Sequence, residues 1–164
     1  MSLGRRILII GGIALALWGM AYGLWYAVFA EHQALETIGG SLTSAFANAA
    51  DRHLESAHAS LGEYRAAKYV YDRQVDVHGH WIGLGMLLIV LGIGLDRVIF
   101  SESIKSLLAI AAFAGAVLFP LGVLLQTVDH GNVPRLVAIL GSVLMIVSLA
   151  AFALGFARAR LASK

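Results

Sequence analysis

Residues 78–100 read HGHWIGLGMLLIVLGIGLDRVIF. From His80 to Phe100 the run is apolar except for Asp96 and Arg97 near its end. A helix needs roughly 20 such residues to cross about 30 Å of hydrocarbon. A segment in that layer must satisfy its own backbone hydrogen bonds, so the run reads as a transmembrane helix. The stretches at about 7–30, 104–128 and 133–157 qualify on the same grounds. The 164-residue chain is 59% apolar and 13% charged, with a mean hydropathy of +0.80. An ordinary soluble domain carries about 25% charged residues. This composition excludes a disordered chain, a nucleic-acid binder and a typical cytosolic enzyme. The expected fold is all-α, one membrane domain over 1–164. It is an integral membrane four-helix bundle with a helical extracytoplasmic cap, residues 31–79, between the first and second spans.

Charge sets the expected orientation. With the N-terminus inside, the inner side holds Arg5, Arg6, Arg97, Lys105, Arg158, Arg160 and Lys164 against Asp96 and Glu102. The outer side carries most of the acids, in the long loop. Basic residues close to span ends mark the cytoplasmic side, so both termini are expected there. The Ala/Gly/Leu-rich composition suits a bacterial cytoplasmic (inner) membrane. Arg5-Arg6 and Val28-Phe29-Ala30 imitate the ends of a signal peptide. The apolar stretch between them is longer than the 7–15 residues of a signal h-region, so an uncleaved anchor is expected.

Trp25, Tyr26 and Trp81 fall at outer span ends, where amphipathic rings prefer to sit. Trp18 lies nearer mid-membrane. Gly12, Ala16, Gly19 and Gly23 recur at about one helical turn, as do Gly85 and Gly92, Ala111 and Gly115, and Ala151 and Gly155. Small residues let membrane helices approach closely, in a bundle or in a homo-oligomer. Pro120 is expected to kink the third span. Asn132 reads as the N-cap of the fourth, with Pro134 in its first turn.

In the outer segment, Leu54, Ala57, Leu61, Tyr64, Tyr71 and Val75 step by helical intervals. Leu35, Ile38 and Leu42 make a shorter seam before them. Gly39-Gly40 is the expected break. The first span should extend to it, and a long helix should run from about Ser41 to Asp76.

The chain has no cysteine, which removes disulfides, thiolate metal sites and CxxC redox chemistry. Six histidines remain, all on the outer side of this topology: His32, His53, His58, His78, His80 and His130. Neutral imidazole is the commonest protein metal ligand. His78-Gly79-His80 places two imidazoles where they cannot share a helical face, so a kinked backbone at Gly79 is expected. Asp129-His130 would complete such a site or orient an imidazole. His32, beside Glu31, stands at the right height to join it. Glu55-Ser56-Ala57-His58 has the Glu-x-x-His step of carboxylate-bridged di-iron bundles, which need two such motifs. The expected ligands are therefore His78, His80, His130, Asp129, His32, His58 and Glu55, holding copper, iron or zinc. Alternatively His80 and His130 would be axial ligands of haem b.

His78-Gly79-His80-Trp81-Ile82-Gly83-Leu84-Gly85-Met86 resembles an H-x-H-x-x-x-L-G-M signature of small multi-span bacterial membrane proteins of unassigned function. The likeness implies only that this paired-histidine helix start recurs among such proteins. It carries over no activity.

Three functions follow as expectations. The first is electron transfer or metal handling through the histidine/carboxylate cluster. The second is a non-catalytic accessory or sensor subunit of a membrane complex. The third is an enzyme acting on quinone or lipid at the outer interface. Transport is disfavoured, because no span carries a mid-membrane ionisable residue. Membrane lipid, a homo-oligomer or a larger membrane complex are the expected partners, and nucleic acid is not.

Overall fold

The computed structural model describes residues 1–162, with side chains for residues 1–158. The side chains of Arg160 and Lys164, counted above among the inner charges, lie outside the described residues. Helix α1 spans Leu3–Phe29, α2 Glu31–Ala50, α3 Leu54–Gly94, α4 Glu102–Leu125 and α5 Asn132–Ala162. A short 3₁₀ turn, Leu95–Arg97, follows α3. No strand occurs among the described residues. Four helices, all but α2, are long and apolar enough to cross a membrane.

Each helix end has a local cause. Ser2 caps α1 by accepting from Arg5 N, and Ser101 caps α4 by accepting from Ile104 N. Neighbouring α1 and α2 are separated only at Ala30. The end of α2 is a Schellman arrangement. Arg52 N donates to the Ala49 carbonyl and His53 N to the Asn48 carbonyl, while Arg52 takes φ 59°. No glycine marks this turn.

Three expectations about the outer segment are corrected here. Gly39 and Gly40 lie inside α2 rather than at a break. The breaks fall at Ala30 and around Arg52 instead. Gly79 lies inside α3, which runs without interruption through both His78 and His80. Helical backbone hydrogen bonding on both sides of one glycine outweighs its modest propensity cost of about 1 kcal/mol. The segment 31–79 is therefore a helical hairpin: α2 packs on α3, and α3 continues in the same helix into its apolar C-terminal half. Pro120 lies buried inside α4.

In the apolar part, α1 pairs with α3 and α4 with α5, while α4 also touches α1 and α3. Helix α5 packs chiefly on α4 and reaches the 3₁₀ turn after α3. Glycines mark the closest approaches. A Cβ on Gly122 would fall 2.3 Å from Ala138 N, and one on Gly141 would fall 2.3 Å from Phe119 N. Such contacts replace the hydrophobic effect, which does not operate between helices in lipid. Leu8, Leu88, Leu95 and Phe152 form the buried interior, while Ile10, Leu17, Leu24, Ile139 and Ile146 face outward. At one end of the helices Arg5 pairs with Asp96 at 2.7 Å, and the buried Lys105 pairs with Glu102 at 3.0 Å.

Candidate binding site at the C-terminal ends of the first and fourth helices

Opposite Arg5 and Asp96, the ends of α1 and α4 meet α3 in a belt of aromatic and polar side chains. The belt follows from helical periodicity on α3. Tyr71, Gln74, His78 and Trp81 recur at three- and four-residue steps, so all face α1. Tyr22 of α1 donates to Gln74 Oε1. Tyr71 donates to Glu31 Oε1 at 3.2 Å and packs against Tyr26, with ring centroids 6.3 Å apart. His78 lies against Gly23, whose missing side chain makes room for the ring. Trp81 is 4% exposed and meets Trp18 and Tyr22 edge-on.

His80 points to another side of α3, toward α4. Its ring meets Phe119 edge-on at 4.9 Å. Its Nδ1 lies 2.6 Å from the Asp76 carbonyl oxygen. A carbonyl only accepts, so Nδ1–H is the donor in this contact and Nε2 takes no part in it. Asp76, Gly79, His80 and Gly83 line an open groove of about 330 Å³ along this face.

His130 is at a different level. Its ring stands 5.8 Å from Tyr69, which also lies under the Arg73 guanidinium at 5.1 Å. From Tyr69 to His80 along α3 is a rise of about 16 Å. Two imidazoles on one metal at 2.0–2.1 Å per bond stand about 4 Å apart. The expected axial pairing of His80 with His130 is therefore not brought together. Asp129 does not orient His130 by a hydrogen bond: its Oδ1 accepts from Gly131 N at 2.8 Å, closing a local turn.

The remaining expected ligands are dispersed. His32 is exposed and pairs with Glu36 at 3.2 Å. Glu55 and His58 are exposed at the start of α3, about 33 Å of rise from His80 when measured from His58. Among the described residues no three His, Asp or Glu side chains gather closely enough to hold a metal ion. The expected cluster of His78, His80, His130, Asp129, His32, His58 and Glu55 is thus spread along the helices and not gathered at one point. Within α3, unbroken from Leu54 to Gly94, each residue adds 1.5 Å of rise, so Glu55, His58, His78 and His80 are spaced along its axis.

Sequence reading passed over Tyr22, Gln74 and Asp76. The signal was present. Extending the Tyr64–Tyr71 seam by helical steps reaches Gln74, His78 and Trp81.

Comparison with known proteins finds no family model, no curated protein and no solved structure that matches this chain.

Proposed function

We propose that this chain is a non-catalytic accessory or sensor subunit of a bacterial inner-membrane complex. In this reading α1, α3, α4 and α5 form the membrane bundle, both termini are cytoplasmic, and the α2–α3 hairpin stands outside as the element that meets a partner protein. The observation that carries the reading is the continuity of α3 from Leu54 to Gly94. One helix joins the hairpin to the ion pair of Asp96 with Arg5 at the opposite end. Near the hairpin tip Phe46 is 69% exposed and Leu54 64% exposed. Large exposed apolar side chains near the tip favour a protein contact in this reading.

The test is the native mass of the detergent-solubilised chain from its own membranes. The reading expects a stoichiometric complex with a second protein. Phe46→Ser with Leu54→Ser should release the chain while its helical content is retained. A lone chain, or a complex unaffected by the double substitution, contradicts the reading.

A second reading is favoured by the His80 geometry alone. The His80 ring, oriented by its Nδ1 hydrogen bond, borders a groove that Asp76 also lines. This is the arrangement in which a ligating imidazole is held by its other nitrogen. His80 would then supply one ligand to copper, iron, zinc or haem b, with other ligands from a partner. An absorption spectrum and metal analysis of that complex, before and after His80→Ala, decide it. A Soret band or bound metal lost in the variant supports the second reading.

A further inference from the structure

An apolar groove of about 500 Å³ runs between the N-terminal halves of α1 and α4. Arg6, Ile7, Ile10 and Gly11 line it from α1, and Ile110 and Phe113 from α4. The α1 residues recur at helical intervals, so they share one face. The two helices run side by side in the same direction: Gly4 lies against Lys105, and Gly11 against the Phe113 ring. A Cβ on Gly11 would fall 2.7 Å from that ring. The missing side chain thus lets Phe113 lie across α1, at the end of the groove away from Arg6. Ile10 is 56% and Ile110 50% exposed, so the groove is open along its side. In the membrane placement proposed above, that side faces lipid.

The other end of the groove is cationic. Among the described residues that line it, Arg6 is the only charged one, and its side chain is exposed. Its neighbours are already paired: Arg5 with Asp96 at 2.7 Å and Lys105 with Glu102 at 3.0 Å. Arg6 takes part in no ion pair among the described residues. Among the described side chains, this end of the helices carries Arg5, Arg6, Arg97, Lys105 and Arg158 against Asp96 and Glu102, an excess of three positive charges. Both carboxylates are held by cations, and neither lines the groove to receive a lipid ammonium group. An uncommitted guanidinium thus stands at the head of a slot of apolar side chains. That combination matches an acidic headgroup carrying an acyl chain, and basic pockets between membrane helices bind such headgroups. A neutral or zwitterionic lipid fits the same slot but gains no net attraction from the excess of positive charge.

We propose that this groove binds one acidic phospholipid. The lipid phosphate accepts from the Arg6 guanidinium, and one acyl chain lies along Ile7, Ile10 and Ile110 toward Phe113. The proposal rests on the membrane placement of α1 and α4 but on neither the hairpin's docking role nor the His80 groove.

The experiment uses the purified full chain in detergent. Phosphatidylglycerol and phosphatidylcholine with identical acyl chains are titrated against it, and native mass spectrometry counts the lipids retained. One phosphatidylglycerol should be retained about fivefold more tightly than phosphatidylcholine, the effect of one basic residue near an anionic lipid. Arg6→Gln should remove most of that preference. Arg97→Gln, which deletes the same charge outside the groove, should leave it unchanged. Ile110→Trp, which fills the slot and keeps the charge, should abolish retention. Phe46→Ser with Leu54→Ser should change none of this, which separates the proposal from the docking reading. Four results overturn it: equal retention of the two lipids by the parent chain, equal losses in Arg6→Gln and Arg97→Gln, undiminished retention by Ile110→Trp, or displacement of the lipid by soluble glycerol 3-phosphate, which would mark a site for free phosphate. Release of the chain from its membranes without detergent would overturn the membrane placement, and the proposal with it. If Ile110→Trp does not fold, the two arginine variants still decide the outcome.

Discussion

Gly12 of α1 and Gly85 of α3 are reciprocal neighbours. A Cβ on Gly12 would fall 2.6 Å from the Gly85 carbonyl oxygen, and one on Gly85 would fall 2.7 Å from that of Gly12. Both obstacles are backbone, so neither can swing aside. Gly12→Val or Gly85→Val should therefore destabilise the α1–α3 pair by about 1–3 kcal/mol, the range for overpacked sites. Reversible unfolding in mixed detergent micelles measures it. A change within error would contradict the close crossing.

The opposite sign is expected where glycine has no neighbour. Gly39 and Gly62 sit inside helices, and nothing lies within 4 Å of a Cβ added to either. Gly39→Ala and Gly62→Ala should each stabilise by about 0.4–1 kcal/mol, through lower unfolded-state entropy and better helix propensity. If Gly39 marked a turn instead, alanine there would destabilise. The same unfolding assay separates the two cases.

These glycines also define what was legible from sequence. The four apolar helices and the small-residue crossings followed from period and composition. Gly12 and Gly85 declared a close approach because α1 and α3 are otherwise bulky. The interior of α2 did not declare itself, because a Gly-Gly pair in a polar segment reads equally well as a turn. The actual turn was silent, since it uses Arg52 in a left-handed conformation that any sequence rule assigns to Gly or Asn. The site misled for one reason. Placing His78 and His80 at a break presumes freedom of direction, whereas a continuous helix sends one to α1 and the other to α4.

Arg52 itself offers a test of the turn. An L-residue in the left-handed region is strained by roughly 1–2 kcal/mol, and glycine is not. Arg52→Gly should raise stability, by about 1 kcal/mol once the greater freedom of unfolded glycine is deducted. A loss of stability would show that the guanidinium holds the turn by contacts of its own.

The ion pair of Arg5 with Asp96 should contribute little. Its side chains are partly exposed, at 33% and 67%. Exposed pairs are worth about 0–1 kcal/mol. Asp96→Asn should change stability by less than about 1 kcal/mol in the unfolding assay. A larger loss would mark the Asp96 carboxylate as a determinant of how these helix ends pack.

The continuity of α3 underlies both the hairpin and the dispersal of the histidines. The chain has no cysteine, so spin labels attach only where cysteines are introduced. Glu55 and Met86 are exposed and lie near the two ends of α3. Labels on Glu55→Cys and Met86→Cys, in the purified chain in lipid nanodiscs, are measured by pulsed dipolar electron paramagnetic resonance. An unbroken helix predicts a single narrow distance near 46 Å at 1.5 Å per residue. A distance of about 30 Å or less would mean that the helix folds back at Gly79, and would contradict the account.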